Sequence, residues 1–189
     1  MYWMKLKHSL LITASTLLVL LSASSHAGRT GVNSYYGIGL GAAVLPDADA
    51  APTGEIVLGI TEDGWALEAI GFASTEVGTD ISTVDTSVSG KDIGLSYRSV
   101  EKNNRYYKLK VSKTDLDIET KTTSGTATAT STTATEGNSY TIGMGFRMDR
   151  ETRLEVDYVY HNNDDLTDPV HFLMFKYLWG GAPYQGTSF

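Results

Sequence analysis

The chain has 189 residues, with 15 Lys and Arg against 22 Asp and Glu, a formal charge of −7 and no cysteine. The acidic balance argues against a nucleic-acid binder, which carries a basic footprint. The lack of cysteine excludes disulfides and thiolate metal sites, and the length suits one domain.

Residues 1–27 read as a cleaved secretory signal peptide. Lys5 and Lys7 form a basic start, Leu10 to Leu21 a short apolar core, and Ser25 and Ala27 the small residues of a cleavage site. That core is shorter than the roughly 18 residues expected of a spanning helix. Cleavage after Ala27 leaves residues 28–189. Loss of the two lysines leaves 13 bases against 22 acids, a formal charge of −9, with His161 and His171 the remaining histidines. No later run approaches transmembrane-helix length. If the mature chain sits in a membrane, a closed barrel is the way to satisfy its backbone hydrogen bonds there.

Eight strand-like segments follow in order: Ser34–Val44, Gly54–Thr61, Trp65–Ala73, Gly90–Ser99, Arg105–Asp117, Ser139–Met148, Thr152–Tyr160 and Val170–Trp179. Most are near the roughly 9–11 residues that a tilted strand needs to cross a bilayer. In the first, Tyr36, Ile38, Leu40 and Ala42 alternate with Gly37, Gly39 and Gly41. The third places Glu68 on one face with Ile70 and Phe72, which predicts a bulge or a mixed interior. The fourth sets Ile93, Leu95 and Tyr97 against Asp92, Ser96 and Arg98, and the fifth sets Tyr107, Leu109 and Val111 against Lys108, Lys110 and Ser112. The sixth and seventh alternate most cleanly, Ile142, Met144 and Phe146 opposing Thr141 and Arg147, and Leu154, Val156 and Tyr158 opposing Arg153, Glu155 and Asp157. The eighth is apolar on both faces except for His171 and Lys176.

The connections alternate short and long. Glu62-Asp63-Gly64, Glu101 to Asn104 and Asp149-Arg150-Glu151 are short, with Asp63-Gly64 and Asn103-Asn104 suited to hairpin turns. Leu45–Thr53, Ser74–Ser89, Ile118–Asn138 and His161–Pro169 are long. Placing every long loop at one end suits an outer-membrane barrel, whose periplasmic turns are short and extracellular loops longer. The expected fold is therefore all-β, an eight-stranded antiparallel up-and-down transmembrane β-barrel.

Alternation alone does not say which face is outside, and a soluble lipocalin-like barrel would turn the apolar set inward. The aromatic positions favour the membrane. Tyr36, Trp65, Tyr97, Tyr107, Phe146 and Trp179 fall near the short-turn end, and Tyr140, Tyr158, Tyr160 and Phe172 toward the long-loop end, as two interfacial belts would require. The other face then gathers Glu55, Glu68, Asp92, Glu155 and Asp157 with Arg98, Lys108, Lys110, Arg147, Arg153 and Lys176 around the axis. Eight strands leave an interior about wide enough for side chains to fill. The expectation is a structural network of paired charges closing the lumen rather than a diffusion channel.

The third long loop, with TTSGTATATSTTATEG as its main run, has no aromatic anchor. It is expected to be mobile or only partly extended; alternatively, its β-branched residues prolong the fifth and sixth strands. Glu76, Asp80, Asp85, Asp47, Asp49, Asp164, Asp165 and Asp168 make an acidic rim whose spacing matches no dedicated calcium loop. Neither His161 nor His171 has a recognisable nucleophile beside it in sequence, so no catalytic residue, metal site or cofactor is assigned, and the chain is read as a non-enzyme.

Tyr35-Tyr36-Gly37-Ile38-Gly39-Leu40-Gly41, Trp65-Ala66-Leu67-Glu68 and Arg153-Leu154-Glu155-Val156-Asp157-Tyr158 resemble the first, third and seventh strands of the small OmpA/OmpX-type outer-membrane barrels. The resemblance covers about Tyr35 to Trp179. It implies export to the outer membrane, a monomer among outer-membrane lipids and lipopolysaccharide, and insertion by the barrel-assembly machinery. It also implies that Phe175, Tyr177 and Trp179 supply the assembly signal, followed here by a tail from about Gly180 to Phe189. The implied role is structural or surface-interactive, through extracellular loops and with no ligand specified. A narrow porin and a lipid-modifying enzyme are the alternatives.

Overall fold

The computed structural model describes residues 33–45, 48–79, 81, 83–149, 151–162 and 168–180. The expected signal peptide lies outside them, as does the expected C-terminal tail after Gly180, which itself ends the last strand. The described residues form nine strands: β1 (Asn33–Val44), β2 (Ala50–Glu62), β3 (Trp65–Ser74), β4 (Val77–Gly78), β5 (Val84–Arg98), β6 (Arg105–Ser124), β7 (Ala127–Arg147), β8 (Thr152–Asn162) and β9 (Val170–Gly180). Every neighbouring pair is antiparallel. β1 joins β9, and β3 joins β5, so eight strands close a barrel while the two-residue β4 adds only to the edge of β5.

Short turns hold one end. Asp63 and Gly64 both take positive φ, 47° and 85°, between the paired Glu62 and Trp65. Asn103 and Asn104 do the same at 54° and 62°. A two-residue hairpin needs this left-handed backbone to match strand twist, and Asp, Asn and Gly adopt it at least cost.

Period-two side-chain direction then sorts every strand into an inner and an outer face. Leu40, 70 % exposed, and Tyr107, 69 %, stand on the outer wall, whereas Lys108, Glu68 and Asp157 are fully buried inside. The burial is thus inverted relative to a soluble barrel. β3 contains no bulge: Glu68, Ile70 and Phe72 all face in, each on a regular pair with β2 and β5.

Three expectations change. The third long loop is not mobile; the alternative holds, since its residues prolong both strands and β6 and β7 pair continuously from Arg105↔Phe146 to Ser124↔Ala127 around a Gly125–Thr126 turn. β-branched threonine on both faces explains how an unburied segment stays extended. The second long loop is shortened from both sides by β4 and by β5 starting at Val84. Phe172 is no belt residue. It is buried in the lumen, edge-on to Phe72 at 5.2 Å between ring centres.

Candidate functional site

The lumen is filled in two storeys. Near the short-turn end, Arg98 on β5 donates to Glu68 at 2.7 Å and to Glu155 at 3.0 Å, and also to the Tyr35 hydroxyl at 3.0 Å. Tyr35 donates to Glu68 at 2.6 Å and Tyr106 to Glu155 at 2.7 Å. Lys108 on β6 lies among three carboxylates, 3.1 Å from Glu68, 2.9 Å from Glu155 and 3.0 Å from Asp157. Lys176 on β9 bridges Glu55 at 2.9 Å and Asp157 at 3.1 Å, and Lys110 pairs with Asp92. Each of these charged residues stands on the buried, inward face of its strand, and Tyr35 and Tyr106 join them from β1 and β6. Small residues opposite make the room: a Cβ at Gly145 would come within 2.0 Å of the Tyr106 ring, and one at Gly39 within 2.4 Å of Glu55.

Ten of the eleven charged residues singled out in the sequence are buried in this interior: Glu55, Glu68, Asp92, Glu155 and Asp157 with Arg98, Lys108, Lys110, Arg153 and Lys176. Five acids meet five bases. Arg153 lies over the Tyr35 ring at 5.2 Å and donates to the Gly180 carbonyl at 3.0 Å. Arg147 is the residue that does not join. It pairs with Glu101 at 2.8 Å beside the short turn between β5 and β6, and it is partly exposed.

Above the ions, Asp92 accepts hydrogen bonds from Lys110, Ser112 and Thr114. Thr114 reaches Ser139 at 2.7 Å, and Ser139 reaches Nδ1 of His161 at 2.9 Å. The sequence offers His161 no adjacent serine; the β7–β8 register supplies one from across the sheet, Ser139↔His161. The direction of the chain decides its chemistry. Thr114 spends its proton on Asp92, so its oxygen accepts from Ser139, whose oxygen then accepts from His161 Nδ1–H. The imidazole is a donor to Ser139, the reverse of what nucleophile activation requires.

Higher still the interior turns apolar. Ala43, Leu45, Ala51, Val88, Leu116, Val170, Phe172 and Met174 form a buried cap, with Phe72 packed against it. Between cap and ions lies a cavity of about 30 Å³ bordered by Glu55, Asp92, Lys110, Lys176, Phe72 and Phe172. That is space on the scale of about one water molecule. The cap escaped the sequence reading, although the two-sided apolarity of β9 was its signal.

On the outer wall, aromatic rings gather at both ends. Tyr36 stacks on Trp179 at 5.6 Å, Tyr177 meets Trp179 at 4.6 Å, and Trp65 meets Tyr97 at 5.1 Å near the short turns. Toward the other end Tyr140, Tyr160, Tyr158 and His171 form a second group, with Tyr158 and His171 Nδ1 2.7 Å apart. Phe175, Tyr177 and Trp179 all project outward from β9.

The long-loop rim is uneven. β5, β6 and β7 rise past the barrel as a sheet, and β7 pairs with β8 only from Asn138↔Asn162 downward. At about 3.4 Å per residue, the eleven residues Ala127–Gly137 extend roughly 35 Å beyond that pair. Lys121 on this sheet pairs with Glu76 and Glu119, which raise its pKa. Among the described residues no group of His, Asp and Glu is arranged to hold a metal ion.

No family model matches the chain, and no curated protein matches it. Solved structures do. Neisserial surface protein A superposes with a TM-score of 0.60 at 10% identity, covering 79% of this chain and 97% of that one. Ail, the attachment invasion locus protein of Yersinia pestis, gives 0.53 at 9% identity over 81% of this chain and 100% of its own. Ail in complex with the heparin analogue sucrose octasulfate gives 0.52 at 12% identity, over 79% and 97%. At these identities the likeness establishes the fold, a closed eight-stranded antiparallel β-barrel.

Proposed function

We propose that the protein is an outer-membrane barrel with a closed lumen whose work is done by the sheet it raises outside the cell. The inverted burial carries this reading. A ring of apolar side chains faces outward between two aromatic groups, while ten ionised residues are enclosed. Lipid is the solvent in which that arrangement is stable, since leaving such a wall in water exposes far more apolar surface than soluble monomers tolerate. The long-loop end then points outward, among lipopolysaccharide, and the short turns face the periplasm. Phe175, Tyr177 and Trp179 suit the assembly signal, and residues 1–27 the export signal.

A porin is disfavoured because both storeys of the interior are packed. An enzyme is disfavoured because the Ser139–His161 pair is aligned in the wrong direction and buried. The similar structures, Neisserial surface protein A and the attachment invasion locus protein Ail, support an interaction role for the raised sheet. Cell fractionation with gel mobility before and after heating tests the location. The folded chain should appear in the outer membrane and migrate differently until boiled; recovery in the soluble periplasm would contradict the proposal. Purified protein in planar bilayers should show no reproducible conductance steps.

A further inference from the structure

We infer that the open edge of β7 binds a second copy of this chain, the two edges pairing antiparallel about Ser131. The inference rests on the raised sheet being outside the membrane, and it names that sheet's partner. Odd-numbered residues of β7 bond toward β6, as Arg147 does to Asn104, and even-numbered ones bond toward β8, as Met148 does to Thr152. Above Asn138 there is no β8 to meet them. The N–H and C=O groups of Thr128, Thr130, Thr132 and Ala134 therefore lie along an edge with no strand partner among the described residues. The other edge of the raised sheet differs, because β4 covers β5 through Val77↔Thr86 and Gly78↔Asp85.

Open edges are normally blunted by lysine, proline or a bulge. Ala127–Ala134 has none of these, and no charge occurs from Thr122 to Thr135. Two chains of net negative charge repel over most of their surface, yet this strip meets its own copy without like charges. A two-fold axis at Ser131 sets Thr130 against Thr132 and Thr128 against Ala134. All eight unpartnered groups of each copy then face groups of the other, and the residues that meet are small or β-branched. A side-by-side two-fold pairing with strands parallel cannot do this. It would place each residue opposite itself, whereas parallel strands bond with a one-residue offset. The antiparallel contact is closed and opposes the two barrels end to end, as between facing membranes.

The chain has no cysteine, so Ser131→Cys introduces a unique thiol. On the axis, its two copies would have Cα atoms about 4.5 Å apart, within disulfide range. Thr133→Cys would hold its thiols about 13 Å apart. Full-length protein in detergent micelles, mildly oxidised, should crosslink at Ser131→Cys about tenfold more than at Thr133→Cys. Unmodified protein should sediment partly as a dimer, and Thr132→Pro should return it to monomer. That proline removes one edge N–H without touching the bonds to β6. Equal crosslinking at both sites, or a monomer at every concentration, overturns the pairing. If cell binding is lost on deleting residues 122–134 while Ser131→Cys stays uncrosslinked, the self-pairing fails and the surface role stands. Failure of the barrel to enter the outer membrane would instead overturn the functional reading.

Discussion

Lys108 is the residue on which the lower storey turns, because Glu68, Glu155 and Asp157 converge on one ammonium. Removing one member of a buried ion network leaves its partners charged and unpaired, which costs about 3–5 kcal/mol. Lys108→Met should therefore lower unfolding stability in detergent by that order, measured by urea titration. Arg147→Leu breaks a partly exposed pair with Glu101 and should cost about 0–1 kcal/mol. Parity along each strand grouped the charges on one face, the aromatic positions turned that face inward, and ten of the eleven residues lie there. It did not reveal which acid meets which base, because that follows from the stagger between strands, and it missed Tyr35 and Tyr106 as inward hydroxyl donors. Their glycine partners show the fit. Gly145→Ala should destabilise by about 1–3 kcal/mol through overpacking against Tyr106. Combining it with Tyr106→Leu should cost less than the sum of the two changes.

At the scale of elements, the strands with one buried face were legible and the others were not. β7 and β8 alternate cleanly because the outer wall and the lumen select opposite side chains at successive positions. Ala127–Ala134 has solvent on both faces, so no alternation marks it as strand; only its β-branched threonines hinted that the strands are prolonged. β9 misleads for the opposite reason, since Phe172 and Met174 face an apolar cap while Leu173 and Phe175 face outward. The short turn between β7 and β8 carries a pH-dependent contribution. The Thr152 side chain beside Asp149, with the N–H groups of Glu151 and Thr152 that donate to it, both at 2.8 Å, holds its carboxyl below the ordinary value. A lowered folded pKa stabilises above the unfolded value, and the gain disappears as pH falls through the folded one. Asp149→Ala should thus be less stable than the parent at neutral pH, and the difference should shrink toward strongly acidic pH in paired unfolding titrations.

For the whole molecule, the ten enclosed charges and the apolar outer wall are two consequences of one inversion. Closure by β1–β9 and β3–β5 removes every edge within the barrel, so the backbone needs no water there. The sheet raised above it has no such closure, which separates a rigid, sealed body from an edge that can bind. The chain's lack of cysteine allows the inversion to be read directly in reconstituted bilayers. Single cysteines replacing Leu40, Leu109 or Ile142, each carrying a nitroxide label, should be relaxed by membrane-dissolved oxygen and shielded from a water-soluble nickel complex. Ready access of the nickel complex to all three positions would contradict a lipid-facing wall.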